Sequence, residues 1–241
     1  HFVSLYEKAG SFGGQLNVAA VPPGKQKIDW VVEFLEGQLK KLGVETHLSK
    51  EIKVEEIMEE APDVLIVATG SRPTIPGIPG LDYDRVVTAH DLLSRKQTAK
   101  GKKVVIIGAS QTGCETAEFL AERGCEVTII DQLPVNELAP DAIPDHRNPL
   151  LARLIARGVK IYTEQTAKEI KQHCLVAVAT DGGERLLEAD SIVLATGTEP
   201  VKEIADQVRD KVPEIYVIGD SAGTHKIADA IYAGSIVASR I

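Results

Sequence analysis

The 241-residue chain has no run of about eighteen apolar residues and no leader with a basic start and a small-residue cleavage site. A membrane span and a secretory leader are therefore not expected, and the chain reads as cytoplasmic. It also lacks a basic block. With 27 Lys and Arg against 35 Asp and Glu, its formal net charge is −8. Nucleic acid must be met by a concentrated positive surface that replaces counterions, so nucleic acid is excluded as a partner, and an anionic membrane with it. The three cysteines, Cys114, Cys125 and Cys174, form no C-x-x-C pair, so neither a metal knuckle nor a dithiol redox centre is written here. Buried, reduced thiols are expected instead. The six histidines are scattered without ligand spacing, so no metal is expected and none of them is given a catalytic role. Methionine occurs once, as Met58, and the chain begins His1-Phe2, which leads to the expectation of an N-terminally truncated chain.

What is present is organised around Lys103 to Asp131. The apolar run Val104 to Ile107 predicts a buried parallel strand and Gly108 a turn. Gly113, Ala117 and Ala121 recur every four residues on one helical face, where small side chains let the helix pack closely on a sheet. A second strand from Glu126 closes on Asp131, eighteen positions after Gly113. That is near the spacing at which a carboxylate accepts hydrogen bonds from an adenosine ribose. The helix N-terminus would face a pyrophosphate with free N–H groups and a positive dipole end. Ser110 replaces the second glycine of a G-x-G-x-x-G turn; its side chain either crowds the pyrophosphate or donates a hydrogen bond to it. The plain alternative is a strand, turn and helix with no ligand.

The same unit is written twice. Phe2 to Glu7 aligns with Val127 to Asp131 as an apolar strand ending in an acid. Lys25 to Leu42 predicts an amphipathic helix, with Ile28, Val31, Leu35, Leu39 and Leu42 at helical spacing and Gly43 to stop it. Its counterpart is Leu150 to Arg157, stopped by Gly158. Each half then closes on a shared phrase, DVLIVATGSRP from Asp63 and DSIVLATGTEP from Asp190. Each phrase is a buried strand running into a glycine turn, where main-chain N–H groups can approach a cofactor. The second unit has a strand, turn and helix before its acidic strand, and the first has nothing before His1. The piece expected to be missing is roughly 20 to 25 residues, one strand-helix step.

Thr74 to Gly80 reads as a turn-rich connection and Val86 to Leu93 as a crossover, with the boundary near Lys100. Thr166 to Leu187 suggests an antiparallel meander, and Leu133 to Pro149, with four prolines, an irregular lid or interface loop. EIYVIGD, from Glu214 to Asp220, returns to the first lobe and a last helix starts near Ile227. The expected fold is α/β: two Rossmann-like, doubly wound, three-layer dinucleotide-binding lobes. The second, 101–200, is inserted in the first, 1–100 and 201–241, whose first strand-helix step is missing.

As an ordered set, Glu7 with Gly13-Gly14-Gln15, Ala68-Thr69-Gly70, the turn from Gly108 to Glu115, Ala195-Thr196-Gly197 and Val217-Ile218-Gly219-Asp220 resembles the two-dinucleotide-binding flavoproteins of the pyridine nucleotide-disulfide oxidoreductase superfamily. Within it, GGQLNVAAVPPGKQKI is most similar to the C-terminal module of the Old Yellow Enzyme-related NADH:flavin oxidoreductases, the group of 2,4-dienoyl-CoA reductase and trimethylamine dehydrogenase. The resemblance implies FAD in the first lobe and NAD(P)H in the second. It also implies an upstream barrel domain as partner, carrying FMN and an iron-sulfur cluster, no part of which is in this sequence.

Carried over by position, Glu7 would hold the FAD ribose, Gly13, Gly14 and Gln15 would pass near the cofactor, and Gly219 and Asp220 would meet its ribityl or pyrophosphate part. The Ala68-Thr69-Gly70 turn belongs to the same lobe. In the second lobe the resemblance assigns Gly108, Ser110, Gly113, Thr196 and Gly197 to the dinucleotide and puts Glu115 near the nicotinamide end, with an exposed helix glutamate as the alternative. Asp131 favours NADH over NADPH, since a carboxylate repels a 2′-phosphate and no arginine adjoins it. The implied function is hydride transfer from nicotinamide to FAD, with electrons passing to the partner domain. The two rings do this chemistry, so no catalytic side chain is named and the chain alone is expected to be inactive. A non-catalytic module binding ADP or NAD within a larger flavoenzyme is the alternative.

Overall fold

The computed structural model describes residues 1–223 and 226–241. His225, one of the scattered histidines, lies outside the described residues. In chain order the strands and helices begin with β1 (Ser4–Glu7), α1 (Gln15–Ala19), α2 (Asp29–Leu42), β2 (Glu45–Leu48), α3 (Val54–Glu60), β3 (Val64–Val67) and β4 (Ser71–Pro73). There follow β5 (Val86–Thr88), α4 (Ala89–Leu93), β6 (Lys103–Ile107), α5 (Gln111–Ala121), β7 (Glu126–Ile130) and α6 (Pro144–Ala156). After these come β8 (Lys160–Tyr162), β9 (Gln165–Lys171), β10 (Cys174–Ala179), β11 (Glu184–Glu188) and β12 (Ser191–Leu194). The chain ends with β13 (Thr198–Pro200), α7 (Glu203–Val208), β14 (Glu214–Val217) and α8 (Ile227–Ala238).

Two compact units result. One comprises His1–Leu16, Asp29–Arg72 and Thr198–Ile241; the other comprises Asn17–Ile28 and Pro73–Gly197. The changeover after Arg72 lies earlier than the boundary read near Lys100, because β5 pairs in parallel with β12 and so belongs to the second unit's sheet. Asn17–Ile28 belongs there too, since Val18 and Val21 pack on that unit's core.

The second unit is built on a five-stranded parallel sheet in the order β5-β12-β6-β7-β8. Its strands alternate between two cores, as a period of two residues requires of a sheet covered on both faces. Val104, Ile106, Val127, Ile129 and Val193 face one core with Ala117 and Leu120 of α5 and Leu154 of α6. Val105, Ile107, Ile130, Ile192 and Leu194 face the other with Ile170, Leu175 and Leu187 of the antiparallel β9-β10-β11 meander. Helices, sheet and meander make three layers. Arg85 ties the meander down, donating from Nη1 to Ala189 O at 2.9 Å and from Nη2 to Lys171 O and Cys174 O.

The first unit has three separate strand pairs. Two are parallel, β1 with β2 (Leu5 opposite Thr46) and β3 with β14 (Leu65 opposite Ile215); the third is β4 with β13. Its buried core cluster is small, Ile57 with Val208 and Val212. The apolar stripe of α2 is present but little covered: Val31, Leu35 and Leu42 are 36%, 45% and 74% exposed, and Trp30 and Phe34 beside it 62% and 63%. By the internal repeat, β1 answers to β7 and β3 to β12. In the second unit β6 sits between those two strands, whereas among the described residues no strand pairs with the free edges of β1 and β3.

Two elements differ from expectation. Lys25 to Leu42 is not one helix: a 3-10 turn at Gln26–Ile28 precedes α2. The proline-rich segment is irregular only as far as Ile143, because Pro144 occupies the first turn of α6, where no N–H is needed, and Pro149 is accommodated inside that helix.

Candidate functional site

In the second unit there is no room for a side chain at Gly108, in the turn between β6 and α5, or at Gly113, in the first turn of α5. A Cβ on Gly108, whose φ is +109°, would stand 2.3 Å from Ala195 O; one on Gly113 would stand 2.1 Å from Gly108 O. The glycine turn and the Ala195-Thr196-Gly197 phrase thus press on each other, with Ala195 N donating to Ile107 O at 2.8 Å. Thr196 Oγ1 donates to Thr74 O at 2.8 Å, and a Cβ on Gly197 would meet nothing within 4 Å. Ser110 is the N-cap of α5, its Oγ accepting from Gly113 N at 3.3 Å. The hydroxyl is turned onto the helix, and its proton is left for another acceptor.

Three carboxylates surround this turn. Asp131 Oδ2 accepts from Ala109 N at 2.5 Å and its Oδ1 from Leu133 N at 2.8 Å. Asp141 Oδ1 accepts from Gln111 N, the first residue of α5, at 2.7 Å. Glu115 is 9% exposed, which removes the exposed-glutamate alternative; its Oε1 is met by Lys25 Nζ and, at 2.6 Å, by Gln111 Nε2. Beneath the turn Cys114 is fully buried, its Sγ donating to Ala109 O at 3.6 Å. Burial, then the nearby Asp141, Glu115 and Asp131, push its thiol up to about 12.

In the first unit Gln15, Ser71 and Asp220 converge. Gln15 Nε2 donates to Ser71 Oγ at 2.7 Å and to Asp220 Oδ2 at 3.2 Å, and Ser71 Oγ donates to the same Asp220 oxygen at 3.1 Å. Gly13, Gly14 and Gly70 carry φ of +112°, +49° and +74°, turning the chain at the ends of the segments that bear these side chains. Thr69 Oγ1 donates to Val201 O at 2.6 Å, and Ala68 beside it is exposed. Gly219 opens a short 3-10 turn beside an open cavity of about 350 Å³ lined by Val217, Ile218, Ala222, Asp229 and Ala233. Glu7 closes β1 with its Oε1 on Ala9 N at 2.7 Å.

Ser71 and Ser221 escaped sequence reasoning. The buried Ser221 Oγ donates to Val67 O or Ile218 O, at 3.0 and 2.6 Å, pinning the turn to β3. Asp141, Lys25 and Glu118 were missed as well. Glu118 is 1% exposed and binds Arg153 through both oxygens, at 2.6 and 3.1 Å, and Arg157 at 3.2 Å. A glutamate within a run of small and apolar helix residues is the one signal that could have found it. Among the described residues no group of three His, Cys, Asp or Glu side chains is placed to hold a metal, and no helix is long and apolar enough to cross a membrane.

Residues 31–235 match the pyridine nucleotide-disulphide oxidoreductase family, and the chain belongs to it. It is 38% identical over its whole length to an NADH oxidase of Thermoanaerobacter brockii and 33% identical over 91% of its length to a bilirubin reductase of Mediterraneibacter gnavus. The chain spans 37% and 34% of those two proteins, about a third of the relatives' length. Among solved structures, 2-naphthoyl-CoA reductase superposes with a TM-score of 0.91 at 32% identity, over 97% of this chain and 35% of that one. Histamine dehydrogenase from Rhizobium sp. 4-9 shares the fold at a TM-score of 0.86 and 20% identity, over 99% of this chain and 40% of that one.

Proposed function

We propose that the chain is the dinucleotide-binding module of an NAD(P)H-dependent flavoprotein oxidoreductase. FAD is assigned to the first unit, and NAD(P)H, with NADH favoured, to the second. The observation that carries this reading is the cradle at Gly108 and Gly113, where a Cβ on either would strike main chain within 2.3 Å. Such a turn leaves the N–H groups opening α5 close to a phosphate. The donor set of the first unit suits a polyol and pyrophosphate: Gln15 Nε2 donates, Ser71 does both and Asp220 accepts.

When bound, NAD(P)H supplies a hydride and FAD accepts it. The chain's own residues bind and orient. Asp131 accepts from ribose hydroxyls on lone pairs beyond those given to Ala109 and Leu133 and opposes a 2′-phosphate, with Gln132 rather than arginine beside it. The Ser110 hydroxyl donates toward phosphate. Lys25 keeps the Glu115 carboxylate compensated at low exposure. No side chain is required to move a proton.

The relatives' greater length supports a further domain, read here as an upstream barrel with FMN and an iron-sulfur cluster that takes the electrons on. The free edges of β1 and β3 fit a strand-helix step contributed from outside these residues. They also favour the second reading, a module holding nucleotide in the second unit alone. A test uses this chain and a version extended upstream, read by visible absorption for flavin and by calorimetry for NADH and ADP. Flavin in the extended protein and NADH binding in both are expected. If the extended protein takes up neither, the oxidoreductase reading is wrong.

A further inference from the structure

The first N–H groups of a helix have no partner within it, and at α5 two are already met by acceptors outside its hydrogen-bonded turns. Gly113 N–H is met by Ser110 Oγ, and Gln111 N–H by the carboxylate of Asp141, thirty residues away. A carboxylate there is the kind of anion that a helix N-terminus attracts, and it occupies the place where a pyrophosphate would bind. We propose that Asp141 is an internal stand-in for that pyrophosphate, so that a dinucleotide enters the second unit by displacing the Asp141 carboxylate from Gln111 N–H. The inference rests on the dinucleotide reading of this unit.

The segment carrying Asp141 is built for a side chain that leaves while the backbone stays. Leu138, Ala139 and Ala142 are buried in the core, and Ala139 N donates to Ala109 O at 2.7 Å. From α6, Arg147 donates through Nε to Leu138 O and through Nη2 to Asn136 O, both at 2.5 Å. These anchors are independent of the Asp141 carboxylate, and Asp141 itself is exposed. Release therefore costs one charge-assisted hydrogen bond, whose partner oxygen returns to water. A pyrophosphate carries more charge than a carboxylate and gains the same helix terminus. Left in place, Asp141 would set a second negative charge near the ligand beside that of Asp131. The apparent affinity is then lowered by the fraction of molecules in which Asp141 is seated, and only for ligands that bear phosphate.

The test titrates the full chain with ADP, NADH and adenosine by calorimetry, comparing wild type with Asp141→Ala and Asp141→Asn. Asp141→Ala should tighten ADP and NADH about tenfold and leave adenosine unchanged. Asp141→Asn keeps an acceptor without the charge and should fall between. A folded Asp141→Ala protein that binds ADP no better than wild type overturns the proposal and leaves the nucleotide reading standing. If neither folded protein binds ADP or NADH, the nucleotide reading fails and the inference with it. A second measurement needs no variant: the Asp141 carboxyl carbon resonance of the wild type should move toward that of a solvated aspartate when ADP is added. ADP binding with that resonance unmoved overturns the proposal even if the variants do not fold.

Discussion

Gly108 and Gly113 show how little room one residue can have. Each lies within 2.3 Å of a main-chain oxygen once a Cβ is added, and backbone cannot step aside as the tip of a side chain can. Gly113→Ala, and Gly108→Ala with its added positive-φ strain, should each cost about 2–3 kcal/mol in urea unfolding. A loss below about 0.5 kcal/mol would mean that the turn relaxes freely. Cys114 gives a residue-scale prediction with a sign. Its folded thiol titrates at about 12, above the ordinary value of 9.0. The native state therefore keeps a proton that the unfolded chain gives up. The stability from this burial is complete below pH 9, declines above it, and is lost as the pH rises through about 12. Replacing the thiol by Cys114→Ala should flatten the alkaline fall of the urea midpoint, and at pH 8 the wild-type Cys114 should react with a disulfide reagent only as fast as the protein unfolds.

Among elements, the antiparallel meander is held by one cation in addition to its apolar core. Arg85 is 8% exposed and serves the carbonyls of Lys171, Cys174 and Ala189, while its own Nε has no partner among the described residues. Arg85→Met keeps much of the volume but leaves those carbonyls short of a donor, and should cost about 2–3 kcal/mol. Amide exchange should rise first in β9 and β10; uniform exchange across the unit would point to a general loss of stability instead. Between α5 and α6 the asymmetry is different. Glu118 is the buried partner, and Arg153 and Arg157 are 45% and 30% exposed at the side chain. Removing both arginines strands a buried carboxylate and should be worse, by about 2 kcal/mol, than Glu118→Gln, which returns two half-exposed guanidinium groups to water. Equal losses in denaturant unfolding would count against this account.

For the whole molecule, the two units are unequally supported. The second has large cores on both faces of its sheet, whereas the first buries a cluster of three residues and leaves the apolar stripe of α2 little covered. Trp30, the sole tryptophan, lies in α2 and so reports on the first unit. Its fluorescence should change at a lower urea concentration than that at which buried Cys114, in the second unit, becomes reactive toward a disulfide reagent. Coincident curves would show one cooperative system.

Much of this was legible from local pattern. The buried strand at Val104, the small-residue face of α5, the repeated closing phrase, the meander and the return through Glu214 rest on periods and turn residues within a few positions of one another. Such features are written by neighbours in the chain, because strand and helix periods and the freedom of glycine act over short range. Packing decided the rest. The acceptor on Gln111 N–H lies thirty residues from it, Lys25 meets Glu115 across ninety, and Asn17–Ile28 joins the second unit although it runs between segments of the first. Sequence periodicity showed that α2 has an apolar face and could not show that this face is left largely open. The amino-acid sequence by itself determined the repeated strand phrases, their order and their glycine turns. Only the tertiary structure decided which charges meet those turns, because a carboxylate is placed by the fold of the segment that carries it and not by its neighbours in sequence.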